Sequence, residues 1–362
     1  MIRNIKVRFV VCLCLLFPLT INIKAQVFTP SNVALWDVWC YYHDGYWTGK
    51  PASGRLGFGF GISVDGLNWK QRPSPELDWS GQPCPYDEIE VAGVERFGHK
   101  YYAFITAYGG PDKVFDILTF TADNPQGPFK LSLINTRILP SGLKNGWFPG
   151  FFQSPDGMLV SHFSMTPARI GFVTLCSMAP LKRPVAGKDG AMRLVWWNGN
   201  NALKGKKHPI SFADSKMTND SQPVFVDDTL DMQRGTILEG VITFSKNTQH
   251  TPNGIILECN GGKEVAIEFV SSSVTLAGKI NSDGSNFEPD QTINRELPIR
   301  AKAQFRLLVR HGLLELYLND YLFNIYQIPG NLTGRIGFLN GASGISKPGM
   351  WTMTLPDQEL PK

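Results

Sequence analysis

Short runs rich in β-branched and aromatic residues recur along the chain, each bounded by Gly, Asn, Asp or Pro, and no long amphipathic helix interrupts them. The runs at 35–42, 56–63, 90–96, 101–107, 115–121, 158–163, 170–175 and 192–197 have the length and alternation of strands, so the chain reads as all-β. Each strand then needs a hydrogen-bonded neighbour and each sheet a cover. Segments 59–69 and 118–129 both run from a short strand through Ser or Thr into an Asp-containing turn and end on an aromatic residue, and 170–184 reads as a more degenerate copy. Irregular repeats of this kind suit the blades of a propeller, where each small sheet buries its faces against its neighbours. A plain β-sandwich is the other arrangement these strands permit.

The texture changes near Pro223. From Thr236 onward the strands alternate more cleanly and include a long pair across 305–328 that turns at Asn319-Asp320 and a last strand over 334–339, as expected of two packed antiparallel sheets. The expected organisation is a propeller over 26–222 and a C-terminal β-sandwich over 223–362, with the boundary in the polar stretch 214–226. Residues 1–25 carry Arg3, Lys6 and Arg8, an apolar run and then Ala25, the pattern of a secretory signal peptide, so a secreted or periplasmic protein is expected.

Composition matters mainly through charge. The chain holds 35 basic and 31 acidic residues, but the leader contains four of the basic ones (Arg3, Lys6, Arg8, Lys24), so the remainder carries 31 of each. A neutral chain gives no electrostatic case for nucleic acid. No later stretch is apolar enough to span a bilayer once the leader is removed. Cys40, Cys84, Cys176 and Cys259 lie beyond the leader without C-x-x-C spacing or clustered His, which points to free thiols or at most one bridge and to no metal site. No cofactor is expected, and structural calcium stays open.

Two clusters carry the chemistry. In Leu35-Trp36-Asp37-Val38-Trp39 an Asp sits between two Trp within a strand, where Asp is disfavoured and costly to bury unless it has a partner or a task. On the innermost strand of a blade that carboxylate would face a pocket walled by flat rings suited to sugars. Bonding to neighbouring backbone N–H groups is the alternative. Asp44-Gly45 just beyond reads as a hairpin turn. The second cluster, Tyr86-Asp87-Glu88-Ile89-Glu90-Val91-Ala92-Gly93, places Glu88 and Glu90 on one face by the strand period of two. Like charges so placed raise one another's pKa, as a proton-donating carboxyl requires. Glu90 is the preferred acid, Glu88 and Asp87 the fallbacks, and Glu95 is expected near the turn at Gly98. A solvated acidic loop is the plainer alternative. Asp37 and Glu90 fit in type the two carboxyls that glycoside hydrolysis uses.

These residues resemble the glycoside hydrolases of families 32 and 43. The resemblance rests on Trp36-Asp37-Val38-Trp39 with its following His-Asp-Gly, on Ile62-Ser63-Val64-Asp65-Gly66-Leu67-Asn68-Trp69, on Glu90-Val91-Ala92-Gly93 ahead of Tyr101-Tyr102, and on Asn124-Pro125-Gln126-Gly127-Pro128-Phe129. The stretch from Phe305 to Asp320 resembles the sandwich appended to family 32 enzymes. The resemblance implies a five-bladed propeller, complete or reduced, followed by a concanavalin-like β-sandwich. It also implies a nucleophile or base at Asp37, an acid at Glu90, and fructosides, arabinosides or xylosides as substrates. One departure stands out: where these families carry a third Asp, residues 145–152 read Asn-Gly-Trp-Phe-Pro-Gly-Phe-Phe. A non-catalytic carbohydrate-binding protein on the same scaffold is therefore the competing expectation. The remaining candidate sugar contacts are Trp36, Trp39, Glu88, Trp147, His162, which could equally be structural, and Trp197 with Asn198, since alternation allows only one of Trp196 and Trp197 on the inner face.

Overall fold

The alternating runs of the first third pair as antiparallel meanders. Val38–His43, Tyr46–Pro51, Phe60–Ser63 and Lys70–Arg72 form a four-stranded sheet in chain order, and the pairing of His43 with Tyr46 leaves Asp44 and Gly45 as the connection. The structure, a computed structural model, describes residues 38–43, 46–51, 60–65, 67–109, 114–139, 147–170, 173–210, 224–226, 230–231, 234–243, 253–259, 263–271, 276–282, 291–295, 297, 299, 302–310, 313–327, 333–339 and 345–354. The expected leader lies outside them. No helix among the described residues is long and apolar enough to cross a membrane.

The turn between the third and fourth strands of the first sheet is built around Asp65. Asp65 accepts hydrogen bonds from the backbone N–H of Leu67 (2.8 Å) and Asn68 (2.7 Å), from the Asn68 amide (2.6 Å) and from the Ser63 hydroxyl (2.8 Å). The Asn68 and Leu67 N–H groups, joined by the side chains, hold its carboxyl well below the usual carboxylate range. This copy of the motif is a turn held by one carboxylate, whereas in the copy at 118–129 Asn124 Oδ1 accepts from the Gln126 N–H (2.9 Å) and Asp123 pairs with Lys100 (3.1 Å).

A second sheet runs outward from Glu88–Phe97 through Lys100–Gly109 and Val114–Ala122 to Phe129–Leu131, with Leu77–Asp78 added in parallel and Arg137–Leu139 paired to Val114–Ala122. One of its faces buries Ile89, Val94, Ala103, Ile105, Leu118 and Phe120 beneath Trp79 and Tyr86. A third unit begins with Trp147–Ser154, Gly157–Ile170 and Val173–Met178 and continues through the hairpin Lys182–Ala186 and Met192–Trp196. Among the described residues, three sheets thus begin ahead of the sandwich.

That third unit does not end at its own last strand. Val195 pairs with Tyr321, and the sheet runs on through Tyr321–Gln327, Leu313–Leu318, Lys302–Arg310, Thr236–Thr243 and Ile345–Met353 to Lys204–His208, eleven strands in all. Lys204–His208, which precedes residue 223 in sequence, is therefore an edge of the sandwich sheet. The segment expected as one long pair across 305–328 is a three-stranded meander. Its second turn is the expected one, with Asn319 (φ 46°) and Asp320 (φ 65°) in the left-handed region that a two-residue hairpin needs. A facing six-stranded sheet contains Val224–Phe225, Ile336–Leu339, Asn253–Cys259, Lys263–Ser271, Leu276–Ser282 and Gln291–Arg295.

Two cores meet on the long sheet. Leu238, Phe305, Leu307, Leu314, Leu316 and Phe338 fill the space between the sandwich sheets. On the opposite face Ile237, Leu308 and Tyr317 pack with Tyr102 and Phe104 of the second sheet, Val160 of the third unit, and Leu194 and Trp196. Leu313–Leu318 is consequently buried at every position, on both faces. That explains a run of Leu-Leu-Glu-Leu-Tyr-Leu with little polar alternation.

Candidate functional site

Each of the three units has an edge strand at one side, Val38–His43, Glu88–Phe97 and Trp147–Ser154, the last two lying side by side. Of the described candidates, Glu88 and Glu90 open the second of these strands and Trp147 opens the third. Asp37 and Trp36 lie outside the described residues. Trp39 lies in the first strand opposite Lys50, and Trp147 lies opposite Phe163.

The strand Glu88–Phe97 meets the expected alternation. Glu88 is exposed and opposes Tyr108, Glu90 is half-buried and opposes Thr106, and Ile89 between them is buried in the second sheet's own core. The two carboxylates share a face about 7 Å apart along the strand. Thr106, directly across from Glu90, is buried with its hydroxyl unpaired among the described residues, which leaves a hydrogen bond open beside the carboxyl.

A bulge then changes the sense of alternation. Val91 opposes Ile105 while Gly93 opposes Phe104, so Ala92 is the extra residue, and Glu95 arrives opposite Tyr102 on the face of Glu88 and Glu90. Strict alternation would have put it on the other face. Burial raises the Glu95 pKa to about 7. Sequence reasoning left Glu95 to the turn; the one signal for its placement was Gly93 inside a strand.

Three candidate contacts need correction. His162 is fully buried, its Nε2 lying 3.1 Å from Glu315 Oε1, so it faces the sandwich and not an open channel. The same Glu315 oxygen accepts from Lys182 Nζ at 2.6 Å, and its other oxygen accepts from the Tyr317 hydroxyl at 2.7 Å. Trp197 is half-buried, and its indole N–H donates to Asp156 Oδ2 (3.0 Å) in the turn that closes the hairpin of Trp147–Ser154. Asn198, exposed, starts the 3-10 helix Asn198–Leu203 beside it. Seven residues of strand separate Trp147 from Ser154 at the turn end, about 23 Å. Trp197 and Asn198 therefore belong to the opposite end of the blade from Trp147 and cannot line the same sugar site. Trp196, the partner excluded by alternation, is buried against Tyr317.

Cys84, just ahead of the acidic cluster, is a free, half-buried thiol directed at the Tyr86 carbonyl, and burial pushes its pKa up. No group of three or more His, Cys, Asp or Glu arranged to hold a metal occurs among the described residues.

A propeller unit of antiparallel meanders joined to a two-sheet sandwich is the fold of solved family 32 glycoside hydrolases. The chain is similar to a sucrose-6-phosphate hydrolase from Lactobacillus gasseri (TM-score 0.61, 14% identity, 88% of this chain and 66% of that one). It is also similar to the Bombyx mori β-fructofuranosidase BmSUC1 (0.63, 9%, 88% and 65%) and to a fructose-bound fructofuranosidase from Schwanniomyces occidentalis (0.63, 11%, 88% and 70%). The chain spans about two thirds of the length of these structures. No family model and no curated protein sequence matches it.

Proposed function

We propose that this protein is an exported glycoside hydrolase that cleaves fructosides, arabinosides or xylosides, with Asp37 as nucleophile or base and Glu90 as general acid. The observation that carries the reading is that Glu88 and Glu90 open the edge strand Glu88–Phe97, which lies beside the edge strand opened by Trp147. The family 32 fold supports it, as does the resemblance of the Trp-Asp-Val-Trp and Glu-Val-Ala-Gly strands. Export rests on the basic, apolar and small-residue order of positions 1–25.

Hydrolysis of a panel of oligosaccharides tests the assignment. Asp37→Ala should abolish turnover with an unchanged circular dichroism spectrum; full activity in that variant would end the assignment. Glu90→Gln should slow turnover of natural linkages by roughly 10²–10⁴-fold while sparing aryl glycosides, whose leaving groups need no proton.

The second reading, a carbohydrate-binding protein without turnover, draws on the strand Trp147–Ser154, which carries no carboxylate. A third Asp would have steadied charge developing on the sugar. Glycan binding with no product across the panel would select this reading.

A further inference from the structure

A polar cavity of about 230 Å³ lies far from these carboxylates in the chain, on the face of the long sheet turned away from the sandwich core. Its floor is built by register. Glu239 opposes Arg306 and Val241 opposes Gln304 on neighbouring strands, and the Asn319-Asp320 turn supplies a wall. Arg306 is held from three sides: Nε on Glu239 (2.5 Å), Nη1 on Asp320 (2.7 Å), and the guanidinium over the Trp196 ring at 4.3 Å. Glu239 also accepts from Lys204 at 2.7 Å.

The fourth group arrives by distortion of the strand. On Ile345–Met353, Gly349 opposes Glu239 while Ser346 opposes Val241, so the strand bulges, and Lys347 in the bulge has φ 53°, a left-handed conformation unusual for Lys. The bulge brings Lys347 into the lining of the cavity. Lys347 is exposed and has no carboxylate partner among the described residues, whereas Arg306 and Lys204 are already paired.

We propose that this cavity binds one uronate residue of an acidic oligosaccharide, a second carbohydrate site separate from Asp37 and Glu90, with Lys347 pairing the sugar carboxylate. The lining mixes acceptors (Glu239, Asp320) with donors (Arg306, Gln304, Lys347), which matches a ring bearing several hydroxyls and a single negative charge. A bare phosphate or sulfate would meet two fixed carboxylates and find too few free donors. The volume equals that of roughly seven or eight waters, about one sugar ring. Arg306, fixed before binding, orders no further on contact.

Isothermal titration with tetragalacturonate and with its methyl ester tests the site. The acid form should bind, the ester at least tenfold more weakly, and the affinity for the acid should fall with added salt. Lys347→Gly suits the left-handed backbone and removes the ammonium with its alkyl stem; it should weaken the acid form at least tenfold and the ester far less. Gln304→Ala, at an exposed position, should weaken both. Absence of binding, equal binding of acid and ester, or full affinity in Lys347→Gly would each overturn the proposal. Because this readout is independent of hydrolysis, its failure leaves the assignment of Asp37 and Glu90 standing, and the reverse holds too.

Discussion

Glu95 shows how one carboxyl acquires its properties from its surroundings. Its pKa of about 7 comes from burial that disfavours the charged form. A carboxyl raised above its unfolded value near 4.5 contributes stability that is fully present below that value and is lost as pH rises through about 7. Glu95→Gln removes the penalty of ionising in place. The variant should match the wild type at pH 4 and melt roughly 2–4 °C higher at pH 8, read by thermal denaturation at both values. An equal melting temperature at pH 8 would mean that Glu95 is solvated. The same residue was missed from sequence because ionisation behaviour depends on which face a side chain occupies, and a single extra residue at Ala92 decided that face.

At the scale of the element, strand existence was legible and strand partnership only in part. The runs 90–96, 101–107 and 115–121 fall within strands of the second sheet, and Asn319-Asp320 is a hairpin turn as expected, because local alternation and turn chemistry encode both. The destination of Met192–Trp196 was not legible. Hydrogen-bonding edges look alike in sequence, and only three-dimensional proximity to Tyr321 joined this hairpin to the sandwich. Backbone conformation also tunes the acidic strand. Gly109 has φ 87°, and a Cβ there would overlap the Asp87 side chain beside Glu88. Gly109→Ala should therefore cost about 1–2 kcal/mol and displace the start of the acidic strand. Hydrolysis, or sugar affinity in the binding reading, should fall more than the melting temperature does. An unchanged activity would place the Asp87–Glu88 end away from the site.

For the whole molecule, the cluster around Glu315 couples the halves. His162 and Lys182 come from the third unit, Glu315 and Tyr317 from the sandwich, and all four are buried. Burial alone would raise the Glu315 pKa; the Lys182 charge and the His162 and Lys182 hydrogen bonds overcome it and hold it at about 2. For Lys182, burial outweighs the pull of Glu315 and leaves its pKa below the ordinary lysine value. The Glu315 contribution is thus present above pH 4.5 and lost as pH falls toward 2. Lys182→Met should cost about 3–5 kcal/mol by stranding a buried charge, whereas Lys182→Met with Glu315→Leu should recover most of that loss. Urea denaturation of the two variants at pH 7 measures both. Equal losses in the single and double variants would show that the pair contributes little.

The amino-acid sequence by itself determined the all-β class, the change of texture into the sandwich, the Asp65 turn and the acidic strand, because each follows from local periodicity, turn chemistry or residue type. The tertiary structure decided what depends on long-range contact. It turned His162 from a sugar contact into a partner of Glu315, 153 positions away in sequence. It set Trp197 at the opposite end of the blade from Trp147, and through bulges it brought Glu95 to the face of Glu90 and Lys347 to a cavity. Side-chain orientation alternates with every residue and register is fixed only by pairing, so one inserted residue or one distant carboxylate can redirect a group whose chemistry the sequence had already supplied.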